Sequence, residues 1–202
     1  MSPPPVRDQS QSGLRERKKA KTRTAIQAAA LSLFARQGYD ATTVDQIAER
    51  ADVSPSTFFR YFPTKEDAVL HDRYDPLLLA DFLAQPAELE PIAALRRTLR
   101  SVFGSLPADE LARERQRAML IIAVPELRAR AFAQLASTLK PFAEAVGERT
   151  GRSVDDPAVR ALTGAVVGVS MAAMLGASED PDTDFVRLLD DGLAQLEAGL
   201  AI

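Results

Sequence analysis

The side chains best suited to recognising another molecule lie close together between Ser54 and Lys65. Ser54 is a typical helix N-cap and Pro55 a typical first helical residue, so a short helix is predicted to begin here. Phe58 and Phe62 are four residues apart and should face inward together. The outward groups are then Ser54, Pro55, Ser56, Thr57, Phe59, Arg60 and Tyr61.

These outward groups suit the major groove of double-stranded DNA. A helix that enters the groove needs donors and small residues on its exposed face and apolar residues on its hidden face. Arg60 can form a bidentate pair with guanine O6 and N7, which discriminates against other bases by roughly 1–3 kcal/mol. Phe59 or the methyl group of Thr57 can contact a thymine methyl group.

A second short helix is predicted immediately before this one. Thr43 and Gln46 have the spacing of a capping box. The inner face of this helix would carry Val44, Ile47, Ala48 and Ala51. Two short helices joined by a tight turn at 51–53 form a helix-turn-helix.

Further groups could hold DNA phosphates without reading sequence. Thr43 and Lys65 are predicted at helix N-termini, which attract anions. A basic run upstream contains Arg15, Arg17, Lys18, Lys19, Lys21 and Arg23. Alone, such a run is more often a solvated helix face, and the Phe-rich cluster alone is more often a core edge. Their combination with the turn and caps favours DNA binding, with about five phosphates neutralised and a log-log salt slope near -4 to -5.

Charge is divided unevenly along the chain. The net charge is -3, but residues 1–65 carry +5 and residues 66–202 carry -8. A basic N-terminal piece joined to an acidic remainder indicates that one end alone approaches a polyanion.

Composition argues against several other classes of function. The chain has no cysteine and one histidine, His71. A small helical enzyme is therefore disfavoured, and we expect no catalytic residue, metal site or cofactor. The N-terminus lacks the apolar run of a secretory signal, so a cytoplasmic location is expected.

The periodicity predicts an all-α protein of about nine helices. We expect a disordered arm at residues 1–13, a helix-turn-helix domain at 14–63 and a ligand-binding and dimerisation domain at 64–202. Thr64 should cap a helix that runs to about Phe82 and bends at Pro76. The uncharged stretch 161–177 has 17 residues, fewer than a membrane span needs, and its glycines favour close helix packing instead.

Three segments resemble the DNA-binding domain of the TetR family of transcriptional regulators: Phe34 to Tyr39, Ala41 to Ala48 and Val53 to Asp67. The resemblance covers residues 14–70. It implies a homodimer formed by the last two helices, a role that is mostly repressing and a variable C-terminal domain that binds a small ligand. Recognition helices one DNA turn apart would then meet a palindromic operator.

Two positions depart from the family pattern. Position 52 is commonly glycine in the family, and Asp52 tolerates a positive φ better than most residues do. Position 59 is commonly a tyrosine that holds a phosphate, a contact that Phe59 lacks the hydroxyl to make.

The ligand is less well defined by the sequence. Arg117 to Leu120, Pro125 to Arg130 and the aromatic helix are similar to family members with an acyl-CoA-like ligand domain. An apolar tunnel would be lined by Phe82, Leu99, Phe103, Met119, Ile122, Phe132, Met171 and Met174, although each is also a plausible core residue. Arginines at positions 96, 97, 100, 113, 115 and 117 could meet a phosphorylated ligand or pair with Glu110 and Glu114.

Other functions stay open at this point. Acidic residues such as Asp72, Asp75 and Asp81 allow a cationic drug as the ligand. The protein could also be an activator, or an interaction protein whose helix-turn-helix no longer reads DNA.

Overall fold

A computed structural model of the chain describes residues 9–180 and 183–200. The described residues form ten helices and no strand, so the all-α prediction is confirmed. The helices are α1 Gln9–Gln37, α2 Val44–Arg50, α3 Pro55–Tyr61, α4 Lys65–Leu70, α5 Asp75–Ala84, α6 Pro91–Gly104, α7 Ala108–Ala123, α8 Pro125–Thr150, α9 Pro157–Glu179 and α10 Phe185–Glu197. The chain divides into two compact units, Met1–His71 and Asp72–Ile202.

In the N-terminal unit, α1 packs against α2 and α4. Its end is set by Gly38, whose φ of 84° is the left-handed conformation expected at a helix stop. The core beneath consists of Ile26, Ala30, Phe34, Ile47, Ala48, Phe58, Phe62 and Val69. Their burial fixes the angle between α2 and α3.

Two predicted boundaries differ from the structure. Helix α1 begins at Gln9, so residues 9–13 of the expected disordered arm are helical, and residues 1–8 lie outside the described residues. No proline lies between Pro5 and Gln37, the last residue of α1, so the helix can extend into this polar stretch. The units divide after His71 rather than after residue 63, because α4 packs on α1.

The helix predicted from Thr64 to Phe82 is two helices. Helix α4 ends at Leu70, and α5 begins at Asp75. Between them, the Asp72 carboxylate accepts a hydrogen bond from Tyr74 N–H at 2.7 Å. Pro76 lies in the first turn of α5 and does not bend a continuous helix. This break raises the number of helices from about nine to ten.

The C-terminal unit has two groups of buried apolar residues. One contains Phe82, Ala94, Ala145, Val146 and Val159. The other contains Leu99, Val166 and Leu193. Gly192 permits a close approach of α10 to α9, since a Cβ there would lie 2.5 Å from Val169 Cγ1. These contacts hold α5, α6, α8, α9 and α10 together.

Helix α9 is a long and apolar helix. Its length and mean hydropathy of 1.7 would suit a membrane span, yet only 28% of its most apolar stretch is buried within the protomer. Gly164, Gly168, Ala172 and Leu175 are exposed along it. Small and apolar residues therefore lie on the solvent-facing side of α9 in the protomer.

Candidate nucleic-acid interface

The helix-turn-helix is fixed by hydrogen bonds at the start of each helix. Thr43 Oγ1 accepts from Gln46 N–H at 3.3 Å, and Gln46 Oε1 accepts from Thr43 N–H at 3.0 Å, so the predicted capping box is present. Ser54 Oγ accepts from Thr57 N–H at 3.1 Å, and Pro55 follows as the first helical residue. Both predicted N-caps are confirmed.

Asp52 occupies the turn between α2 and α3. Its φ is 54°, in the left-handed region that favours glycine and that Asp tolerates. Val53 N–H donates to Ala48 O at 3.0 Å and closes the turn. The expectation that Asp52 would accept a positive φ is confirmed.

Helix α3 has the two predicted faces. Phe58 and Phe62 are 0% and 3% exposed, which confirms their inward position. Phe59 is 54% exposed, and Arg60 is exposed beside it. At the helix start, the hydroxyl group of Ser54 forms hydrogen bonds of 2.9 Å with those of Ser56 and Thr57. The solvent face of α3 therefore combines hydroxyls, an aromatic ring and a guanidinium.

The ring of Tyr61 brings two arginines together. The guanidinium carbon of Arg60 lies 5.4 Å from the centre of the Tyr61 ring. That of Arg23, on α1, lies 5.9 Å from the same centre. Both distances are within the range of a cation–π interaction.

Lys65 makes contacts within the domain that the sequence does not predict. Its Nζ donates to Tyr39 O at 2.9 Å and to Thr42 O at 3.2 Å, and it lies 4.1 Å from the centre of the Tyr39 ring. Two of its three protons are thus used within the domain. The amine holds in place the segment that leads into α2. It therefore has fewer protons left to donate to a DNA phosphate. The cause is that α4 begins directly beside the α1–α2 connection.

The basic residues of α1 keep their predicted position at the surface. Arg17, Lys18 and Lys21 are exposed. Arg17 and Lys21 are one helical turn apart and share a face. These side chains can reach a polyanion without disturbing the core.

Gln27 has a structural role that the sequence alone does not predict. It is 7% exposed, and its Nε2 donates to Ala68 O at 3.1 Å and His71 O at 2.9 Å. These carbonyls belong to the end of α4, where helix carbonyls lack intrahelical partners. The available signal was a polar residue on the same stripe of α1 as Ala30 and Phe34.

The residues expected to line a ligand tunnel occupy different environments. Phe82, Leu99 and Ile122 are buried, while Phe103, Phe132 and Met174 are half-buried. Leu99 and Phe103 belong to one apolar cluster, and Phe103 packs against Tyr74 with ring centres 5.8 Å apart. Met119 and Met171 are 51% and 40% exposed, so in the protomer these two do not line an interior, contrary to expectation. Their positions fall on the outer faces of α7 and α9.

The arginines considered for a phosphorylated ligand mostly pair with carboxylates. Arg117 contacts Asp72 at 3.1 Å and Glu114 at 2.8 Å, and Arg73 pairs with Glu110. Arg96 and Arg100 contact Asp190, Arg113 contacts Asp109 and Arg115 contacts Asp184. The alternative to ligand binding, in which these arginines form ion pairs with carboxylates, is therefore what the structure shows. The partners include aspartates as well as the expected glutamates.

Burial and charge shift several pKa values where α5 meets α7. Burial raises the pKa of Asp75 to about 6, helped by Asp72 and opposed by Arg117. Burial and the hydrogen bond to Glu110 raise the pKa of Tyr74 to about 12. Burial lowers the pKa of Arg117, but Asp72 and Glu114 raise it by more, so the guanidinium stays charged. This cluster joins the start of α5 to α7.

Comparison with known proteins connects both units to one family. Residues 26–70 match the family model described as bacterial regulatory proteins, tetR family. Residues 89–201 match the model described as MftR C-terminal domain. The second match alone covers more than half of the 202 residues.

Two regulators and one solved structure are among the proteins similar to this chain. The HTH-type transcriptional regulator TcmR of Streptomyces glaucescens is 43% identical over 101 residues, 49% of this chain and 45% of TcmR. The transcriptional regulator MftR of Mycobacterium tuberculosis is 26% identical over 91% of this chain and 93% of its own length. The crystal structure of Thermus thermophilus FadR, a TetR-family repressor in complex with lauroyl-CoA, has a TM-score of 0.52 at 25% identity and covers 89% of this chain and 95% of FadR.

The capped helix-turn-helix and the two family matches lead to the same assignment: the chain belongs to the TetR family of transcriptional regulators, with a helix-turn-helix DNA-binding domain and no enzymatic role.

Proposed function

We propose that this protein is a homodimeric, cytoplasmic repressor that binds a palindromic operator and is released by a small apolar or acyl-CoA-like effector. The observation that carries the proposal is the solvent face of α3, where Arg60 and Phe59 are exposed above the buried Phe58 and Phe62. Thr43, Ser54, Pro55, Ser56, Thr57 and Tyr61 would complete the contact surface, with Arg17, Lys18 and Lys21 on phosphates.

Dimerisation is proposed through α9 and α10. The exposed face of α9 carries Gly164, Gly168, Met171 and Leu175. Adding a Cβ to Gly164 or Gly168 would meet nothing within 4 Å in the protomer. A second copy of the helix could therefore approach closely along this line of small residues, burying Met171 and Leu175. Two α3 helices about 34 Å apart would then enter adjacent major grooves.

The effector is proposed to bind within the C-terminal unit. Support comes from FadR, which is similar over 89% of this chain and holds lauroyl-CoA. Leu99, Phe103, Ile122, Phe132 and Met174 are the apolar candidates whose burial suits an acyl chain. An effector that fits only a dimer with a wider α3 spacing would release DNA without covalent chemistry.

A cationic effector is the second candidate. The -8 charge of residues 66–202 and the partly buried Asp75 favour it. A phosphorylated effector would have to bind arginines such as Arg96 and Arg117, whose guanidinium groups form ion pairs with carboxylates in the structure.

A gel shift with the DNA upstream of the gene tests the regulator and the effector together. We expect a retarded duplex at low salt, released by lauroyl-CoA or by lauric acid but not by coenzyme A alone. Release by tetraphenylphosphonium instead would favour a cationic effector. Failure to retard any duplex would contradict the proposal as a whole.

A further inference from the structure

We propose that Tyr61 is a positioning residue for base recognition: its aromatic face orients the Arg60 guanidinium for a guanine edge. The inference rests on the proposed role of Arg60 as a reader of bases.

The first step is the contact between neighbours on α3. Arg60 is exposed, yet its guanidinium carbon lies 5.4 Å from the centre of the Tyr61 ring. A free arginine side chain loses rotamer entropy when it is fixed. A planar guanidinium held over a ring has lost part of that freedom before DNA arrives, so less is lost on binding.

The second step is the position of the ring itself. Tyr61 is half-buried, and Arg23 from α1 also lies over it, at 5.9 Å from the centre. Phe62, the next residue, is 3% exposed in the core. The ring is thus held between two helices of one unit, which makes it a fixed support for Arg60.

The third step separates the ring from its hydroxyl group. Tyr61→Phe keeps the aromatic face and removes the only atom able to contact a phosphate. Tyr61→Leu removes the aromatic face and keeps an apolar side chain of moderate size. The two variants therefore distinguish support of Arg60 from a phosphate contact, and rescue by Phe identifies the ring as the active part.

The experiment uses the full chain and a duplex selected from a random library by the wild-type protein. Affinities are measured for this duplex, for the same duplex with 7-deazaguanine at each guanine in turn, and for a scrambled duplex. The modified base lacks N7, one of the two acceptors that arginine uses. The ratio of specific to scrambled affinity does not depend on the fraction of protein that is folded.

Arg60→Ala should lower this ratio roughly fivefold or more and remove the effect of one 7-deazaguanine substitution. Tyr61→Leu should lower the ratio roughly two- to fivefold and weaken the same substitution effect, while Tyr61→Phe should match wild type. An unchanged ratio in Tyr61→Leu, or an equal loss in Tyr61→Phe, would overturn the inference. An unchanged ratio in Arg60→Ala would instead remove the proposed role of Arg60.

Discussion

At the scale of single residues, Lys65 shows that a charged side chain at the start of a helix can form hydrogen bonds that stabilise the fold. Its amine bonds two carbonyls of the α1–α2 connection, at Tyr39 and Thr42. Thr43, the N-cap of α2, follows directly. We therefore expect Lys65 to affect DNA binding mainly by fixing the position of α2.

Replacing Lys65 by Met should lower the free energy of unfolding by about 1–3 kcal/mol, because two carbonyls lose a charged donor. Thermal denaturation followed by circular dichroism measures the change. Lys21→Met is the matched control, since Lys21 is exposed on α1. It should weaken binding to all duplexes and leave stability within about 0.5 kcal/mol. Equal melting temperatures for the two variants would contradict the structural role of Lys65.

At the scale of elements, helix starts were more predictable than contacts between helices. Thr43, Ser54 and Thr64 cap α2, α3 and α4 as the sequence indicates, because a cap depends on residues three positions apart. Gln27 was not predicted, since its partners lie 41 and 44 residues away. The break between α4 and α5 was missed because Pro76 suits a kink as well as a first turn.

The contribution of Gln27 to the packing of α1 against α4 can be tested by substitution. Gln27→Leu keeps an apolar contact but leaves the Ala68 and His71 carbonyls without this donor, so unfolding should become easier by about 1–3 kcal/mol. Gln37→Leu is the control, because Gln37 makes its hydrogen bonds to Ala41 and Gln46 at the exposed end of α1. Urea denaturation should show a clear loss for the first variant alone. Similar losses in both would count against a special role for Gln27.

The environment of Asp75, at the start of α5, should make the stability of the protein depend on pH. The pKa of Asp75 is about 6 in the folded chain, raised first by burial and then by Asp72, against about 3.9 in an unfolded chain. Between these values the unfolded state loses its proton first, so stability falls as pH rises from 4 to 6 and stays lower above.

Asp75→Asn should therefore raise stability at pH 8 and leave it nearly unchanged at pH 4. The gain should be about 1 kcal/mol, since solvent reaches part of the carboxylate and screens it. Asp191→Asn, at a side chain that is 66% exposed, is the control. Chemical denaturation at both pH values measures the difference. A gain of equal size at pH 4 would show that ionisation of Asp75 is not its source.

At the scale of the whole molecule, the sequence predicted the fold class and the helix-turn-helix because both depend on local periodicity and caps. It did not define the ligand site. Met119 and Met171 were grouped with Leu99 on residue type alone, and the structure leaves both exposed. The sequence leaves open whether Arg117 pairs with a ligand or with a carboxylate. In the structure, its guanidinium lies 3.1 Å from the Asp72 carboxylate.

The proposed dimer can be tested with two exposed leucines. Leu175 on α9 is 49% exposed and Leu77 on α5 is 55% exposed. Leu175→Glu places a charge in the proposed interface and should dissociate the dimer, whereas Leu77→Glu should not. Sedimentation velocity at micromolar concentration gives the oligomeric state. An unchanged dimer for Leu175→Glu would place the interface elsewhere.

The central claim, that a dimer reads a palindrome through Arg60, is tested most directly by the stoichiometry and sequence preference of the DNA complex. Multi-angle light scattering of the protein with its selected duplex should give two protomers per palindrome. Arg60→Ala should keep the dimer but lower its preference for the selected over the scrambled duplex roughly fivefold or more. One protomer per palindrome, or an undiminished preference in Arg60→Ala, would contradict the account.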